Sequence, residues 1–385
     1  MSSSTRFFSN PSTPLRTVDA SAELEASLDR ITTHHPPVHT CSTGWSFQGF
    51  YGGPTSIAYL FFKLSRIFPR KAHKQQSLFD WAEAYLALGA RLEKNTPDPD
   101  HCGIASETLA HLALSAVMRG DGGLAKQLCA FEGLINGNEV GGSDEWMYGR
   151  AGYLYFLRLC RTAFGAGVGE DSTAALLDAT ISNTVSRILS APRPWSWHGK
   201  EYFGAAHGAI GIICQLVLSQ PGIAPELEGV LSDLLATQLP SGNFPSSAGS
   251  ESDRLVQFCH GGPGFVISLC SLGPHFPALK RRIRRAVELA VADTWERGLL
   301  VKEPCLCHGI AGNALALATG GAGEEKFEHF LAFMDTESME KVGWMRRAGR
   351  DDSFAGLYTG EAGRAWVWGV KASRGMKVCI GYNDL

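Results

Sequence analysis

Long apolar runs are missing from this 385-residue sequence. The longest, such as Ile210 to Leu218, reach about half of the ~20 residues that span a bilayer, and that run carries Gln215. No apolar signal core opens the chain between Met1 and Phe8, so the expected setting is the cytoplasm. An excess of one charge is missing too. The 35 basic and 38 acidic residues leave a formal charge of −3, which argues against nucleic acid or an anionic membrane as the main partner. Proline stands at 18 and no Gly-X-Y period exists, which excludes a collagen-like chain. A hydrophobic share of 44% excludes a disordered one. Strand alternation and Asn-Gly hairpin signals are scarce. Glycine is what the sequence has in excess, with 44 residues, about 17 above the average share for this length. Without an export signal, the ten cysteines read as thiols or metal ligands rather than a disulfide framework.

The glycine surplus has a pattern. Gly-x-x-Gly or Gly-x-x-Ser, followed at once by an apolar run, starts at Gly53, Gly103, Gly149, Gly208, Gly261, Gly309 and Gly360, with spacings of 50, 46, 59, 53, 48 and 51. A period near fifty marks a repeated supersecondary unit. The run after each motif is apolar nearly all round, as in Gly152 to Leu159, which suits an inner helix covered on both sides. Upstream stretches such as Ser77 to Lys94 and Ala278 to Arg297 are amphipathic at helical spacing, with charged outer faces. The predicted unit is a polar outer helix, a loop, a glycine turn and a buried inner helix. Seven such hairpins give an all-α fold. The terminal segments are too short and polar to cap an open solenoid, so the expectation is a closed α/α toroid of inner and outer helix rings. It would form one domain over residues 41–385 after an N-terminal extension over 1–40. In such a ring the glycine turns share one mouth.

The residues just before the motifs carry the chemistry. Immediately ahead of the first glycines stand Gly52, Cys102, Tyr148, His207, His260, His308 and Thr359; one position earlier are Tyr51, His101, Met147, Ala206, Cys259, Cys307 and Tyr358. Three consecutive repeats place histidine at one turn, and two of them add cysteine. Neighbouring side chains on a regular helix do not face one another, but an irregular glycine turn lets a Cys-His pair converge. Thiolate with imidazole selects zinc, four-coordinate and tetrahedral, so Cys259, Cys307 and His308 are the expected ligands. With His260 the site would close as a structural Cys2His2 centre; without it one position stays open for chemistry. His207 lacks a neighbouring thiol and reads as an acid/base group, against the alternative of a satisfied core histidine. Cys129, Cys160, Cys214 and Cys270 read as packing, and Cys305 falls outside the turn position that Cys259 and Cys307 share.

The turns GAAHGAIGI, FCHGGPG and LCHGIAGNA, with YGRAGYLY and the tract WHGKEYFGAAHG from Trp197, resemble the lanthionine synthetase C-like (LanC-like) family in its eukaryotic, glutathione-binding type. The resemblance runs from about Gly49 to Gly363. It implies a seven-repeat α/α toroid with one zinc held by Cys259, Cys307 and His308, and leaves His260 beside them. It further implies His207 as acid/base, Asp144 with Glu145 as the acidic site before the YGR turn, and Lys302 as the lysine ahead of the second CHG turn. The chain departs from eukaryotic relatives at Lys302-Glu303-Pro304-Cys305, where they read Lys-Gly-Tyr-Gly. It also departs at Arg350-Asp351-Asp352, which keeps only part of an Arg-x-Pro-Asp stretch near the glutathione site.

The reaction this implies is addition of a thiol, glutathione first, to a dehydroalanine or dehydrobutyrine residue in a peptide or protein, forming a thioether. Arg6, Lys302, Arg350 and Asp352 are the candidate contacts for the charged ends of glutathione. The alternative is a zinc- and glutathione-binding regulator or scaffold without turnover. A glycosidase-type toroid would need paired carboxylates, and Asp351-Asp352 has no such partner in the sequence.

Overall fold

The computed structural model describes residues 6–10, 15–38, 45–90, 96–137, 141–165, 172–346, 355–373 and 378–385. Fourteen of its helices form two rings. They are α1 (Ala20–His34), α2 (Pro54–Ile67), α3 (Leu78–Ala90), α4 (Glu107–Arg119), α5 (Gly122–Ala130), α6 (Arg150–Phe164) and α7 (Thr173–Leu189), then α8 (Ala209–Ser219), α9 (Ala224–Ala236), α10 (Gly262–Leu272), α11 (Lys280–Arg297), α12 (Ile310–Thr319), α13 (Glu324–Leu331) and α14 (Glu361–Ser373). Short helical turns such as Glu132–Ile135 and Thr336–Val342 lie in the connections, and a small antiparallel pair, Ala72–His73 with Gln76–Ser77, lies between α2 and α3.

The even-numbered helices are the inner ring. Each touches the next, α2 to α4 and onward to α14, and α14 returns to α2. The all-α toroid is therefore closed. Inner helices are buried almost all round: every residue from Gly262 to Leu269 and from Ile310 to Leu317 is covered. The outer helix α11 buries only Ile283, Ala286, Val287, Ala290, Asp293 and Thr294, a single stripe at helical spacing.

The pairing of inner with outer helices differs in order from the expected unit. Among the outer helices, each inner helix packs most on the one that follows it: α2 on α3, α4 on α5, α6 on α7, α8 on α9, α10 on α11, α12 on α13. Connection length is the reason. Only Gly120 and Asp121 separate α4 from α5, and a link that short forces antiparallel packing. The connection from α7 to α8, which runs from Ser190 to Gly208, is far longer. The last inner helix, α14, takes its outer partner from the other end of the sequence, since it packs on α1. Arg30 of α1 reaches Glu361 of α14 at 3.0 Å, both largely buried.

The turns that start the inner helices are hydrogen-bonded to one another. The N–H of Met147 donates to Ala206 O (3.2 Å), Ala206 to Cys259 O (3.5 Å), Cys259 to Cys307 O (3.0 Å), Cys307 to Tyr358 O (3.0 Å) and Tyr358 to Tyr51 O (3.0 Å). In five of the seven motifs the second glycine makes this possible. A Cβ on Gly152, Gly211, Gly264, Gly312 or Gly363 would lie 2.0–2.2 Å from the carbonyl oxygen six residues earlier, so in these five repeats the first helical turn crosses its own entry loop without room for a side chain. The segment Val378–Leu385 lies inside the ring, where Trp366 bonds Val378 O, Gln215 bonds Gly381 O and Tyr155 bonds Asp384.

Candidate metal and acid–base site

Cys259 and Cys307 hold equivalent turn positions one repeat apart, and their shared backbone bond sets their separation. His308 follows at the entry to α12. The two sulfurs and a His308 ring nitrogen lie within 4.8 Å of one another. Gln257 Nε2 donates to Cys259 Sγ at 3.1 Å, while Lys302 Nζ donates to Gln257 Oε1 at 2.7 Å. Tyr51 Oη donates to Cys307 Sγ at 3.5 Å. Between the sulfurs, the hydrogen bond from Cys307 draws Cys259 below the usual thiol range and holds Cys307 above it. Burial, with Lys302 nearby, lowers His308, so it presents a neutral imidazole.

This donor set fits a soft divalent cation. Two sulfurs and an imidazole nitrogen converge, and each sulfur already accepts an outer hydrogen bond of the kind that steadies a bound thiolate. His260 is not part of the convergent group among the described residues. Its ring turns to Tyr202 and His207, with centroids 5.6 and 5.9 Å away. Burial above all, then the neighbouring His207, pushes its pKa down to about 4. Cys305 is buried and packs under the same turn, its thiol pushed up to about 12 by burial.

Across the mouth, His207 sits at the entry to α8. Its Nδ1 is 3.0 Å from Glu145 Oε2, and its ring stacks on Trp197 with centroids 4.0 Å apart and planes within 1°. Tyr148 adds a second near-parallel ring at 6.0 Å. Glu145 is 2% exposed and accepts the backbone N–H groups of Met147 (2.6 Å) and Tyr148 (2.5 Å), so its carboxylate is fixed before it meets the histidine. The structure gives the two acidic residues ahead of the YGR turn different partners. Asp144, expected in the catalytic group, turns away from His207 and pairs with Arg150 Nη1 at 2.9 Å, while Arg150 Nε donates to Ile135 O. Burial raises Asp144, and Arg150 opposes that rise. Of the two neighbouring carboxylates, the one that reaches His207 is Glu145. In the sequence the family resemblance pointed to Asp144 and Glu145 together, without separating them.

Lys302 lines a cavity of about 590 Å³ with Glu303, His308, Val301, Gly343 and Trp344. Arg6 comes to the same neighbourhood by backbone pairing, its carbonyl accepting Val301 N–H at 3.1 Å. Arg350 and Asp352 lie outside the described residues. Gln257, Tyr51 and Trp197 are site neighbours to which the sequence alone assigned no role. Gln257 lies outside the repeated turn positions, whereas Tyr51 shares the position of Cys259 and Cys307.

The model of the lanthionine synthetase C-like family matches residues 45–368, and the chain belongs to that family. It is 31% identical over 264 residues to the LanC-like protein GCL1 of Arabidopsis thaliana, a stretch covering 64% of this chain and 60% of that protein. It is 34% identical over 185 residues to the glutathione S-transferase LANCL1 of Danio rerio, covering 44% of this chain and 45% of that one. The matched stretches thus span about half the length of these curated relatives. Among solved structures it resembles nisin cyclase, with a TM-score of 0.56 and 14% identity over 93% of this chain and 94% of that one. At that identity the likeness is one of fold. No helix of the described residues is long and apolar enough to cross a membrane.

Proposed function

We propose that this chain is a cytoplasmic, zinc-dependent enzyme that adds a thiol, glutathione first, to dehydroalanine or dehydrobutyrine residues of peptides or proteins. The observation that carries the reading is the juxtaposition of two groups at one mouth: the Cys259–Cys307–His308 triad, and a His207 imidazole held by Glu145. The name of one relative, a glutathione S-transferase, agrees with the choice of thiol.

Cys259, Cys307 and His308 would hold the ion. Zinc bound there supplies a soft Lewis acid that lowers the pKa of an incoming thiol and keeps it as thiolate at neutral pH. Gln257 and Tyr51 hold the two protein sulfurs in place. When the substrate sulfur bonds to the alkene Cβ, the π pair moves to Cα and the enolate needs a proton. With Nδ1 engaged by Glu145, His207 directs Nε2 to the mouth, takes up the proton that the thiol gives up and returns it to Cα, while the Glu145 carboxylate faces the imidazolium formed between the two transfers. Trp197 and Tyr148 fix the ring plane. Lys302 and Arg6, with Arg350 and Asp352, are assigned to the charged ends of glutathione.

Metal analysis paired with a thiol-consumption assay tests the reading. One zinc per chain is expected, lost in Cys307→Ala, together with consumption of glutathione only when a dehydroalanine peptide is present. Zinc well below one per chain would sink it. Full zinc with no consumption would leave a binding protein without turnover.

A further inference from the structure

We infer that Tyr382, in the segment Val378–Leu385, is the positioning residue that ties the acid–base half of the mouth to its metal half. The proposal is that its hydroxyl serves His207 and its ring serves the cysteines.

The side chain is 1% exposed and touches a neighbour of each functional group. Its hydroxyl donates to Ala205 O, two residues before His207. Its ring lies 5.2 Å from Trp146, which follows Glu145. It meets Phe258, which precedes Cys259, edge-on at 5.2 Å and 89°. Trp146 and Phe258 both pack in turn on Tyr358, whose carbonyl accepts the Cys307 N–H. Tyr358 closes the circle by donating its own hydroxyl to Ile380 O.

The segment is built to hold this residue. Gly381 has φ +88, and a Cβ there would come within 2.5 Å of the Trp146 ring, so only glycine fits. Asp384 Oδ1 accepts the Gly381 N–H at 2.9 Å. Its Oδ2 takes Tyr155 Oη (2.9 Å), Tyr59 Oη (3.2 Å) and Lys63 Nζ (3.0 Å). Four groups on one carboxylate anchor the segment to α2 and α6 and leave Tyr382 aimed at the turns. The backbone ring links neighbouring turns; between the Glu145 turn and the Cys259 turn Trp146 also meets Phe258 edge-on at 6.0 Å, and Tyr382 packs on both rings.

The two contacts can be separated. Tyr382→Phe keeps the ring and removes the bond to Ala205 O. The expected result is a roughly tenfold lower kcat with KM and zinc affinity unchanged. Tyr382→Leu keeps much of the volume but loses the aromatic contacts, and is expected to weaken zinc binding roughly tenfold in a chelator competition titration. Both variants are checked for wild-type melting profiles, and Tyr382→Phe serves as the folded reference if Tyr382→Leu does not fold. The hydroxyl half rests on the reaction proposed above, whereas the metal half needs no turnover, so failure of that reaction does not touch it. Wild-type kcat in Tyr382→Phe would overturn the hydroxyl role. Weakened zinc binding in Tyr382→Phe, or wild-type zinc affinity in folded Tyr382→Leu, would overturn the ring's role.

Discussion

Glu145 and Asp144 are neighbours in sequence and differ in what they hold. Glu145 fixes His207, while Asp144 neutralises Arg150 under the loop. Their amides should therefore separate rate from stability. Glu145→Gln keeps the shape and an acceptor for the turn N–H groups but loses the charge behind the imidazole; a fall in kcat of roughly a hundredfold is expected, with little change in denaturant midpoint. Asp144→Asn leaves the buried Arg150 guanidinium without its counter-charge. A loss of about 3 kcal/mol in urea unfolding is expected, with kcat per folded chain retained. Equal kinetic damage from both would contradict the assignment. The histidine and cysteine turns were legible in the sequence because they recur at one register. Which of two adjacent carboxylates points inward was not, since that depends on a non-repeating loop whose backbone N–H groups of Met147 and Tyr148 capture Glu145.

At the scale of the element, the repeated motif is explained by a single close approach. The second glycine lets five of the inner helices cross their entry loops, and Ser56 manages the same place in the first repeat by bonding Gly53 O at 2.7 Å. Gly264→Ala would put a Cβ 2.1 Å from Phe258 O, backbone against atom; a loss of about 3 kcal/mol is expected in chemical unfolding. Gly229→Ala, in the exposed face of α9 with nothing within 4 Å, is the control, expected to gain about 0.5 to 1 kcal/mol. The glycine period thus revealed the number of inner helices and where they start. It could not reveal which outer helix each one packs on. That follows from connection lengths, and a long loop and a two-residue link look equally polar in sequence.

For the molecule as a whole, closure depends on α14 meeting both α2 and α1. Residues before 41 thereby supply the seventh outer helix, although nothing in their composition announces it. Arg30 is the fastening, bonded to Glu361, Ser27 and Thr336. Arg30→Ala is expected to cost about 3 kcal/mol and to broaden urea unfolding by freeing α1 before the rest of the ring. A closed ring brings turns far apart in sequence to one mouth, and the functional reading depends on that convergence. Intact-mass spectrometry of a dehydroalanine peptide, incubated with glutathione and the zinc-loaded chain, tests it most directly. The expected result is a peptide heavier by one glutathione, formed by the wild type, formed roughly a hundredfold more slowly by His207→Ala, and not formed above background by Cys307→Ala. An unmodified peptide with the wild type, or an adduct formed equally fast by all three chains, would contradict the account.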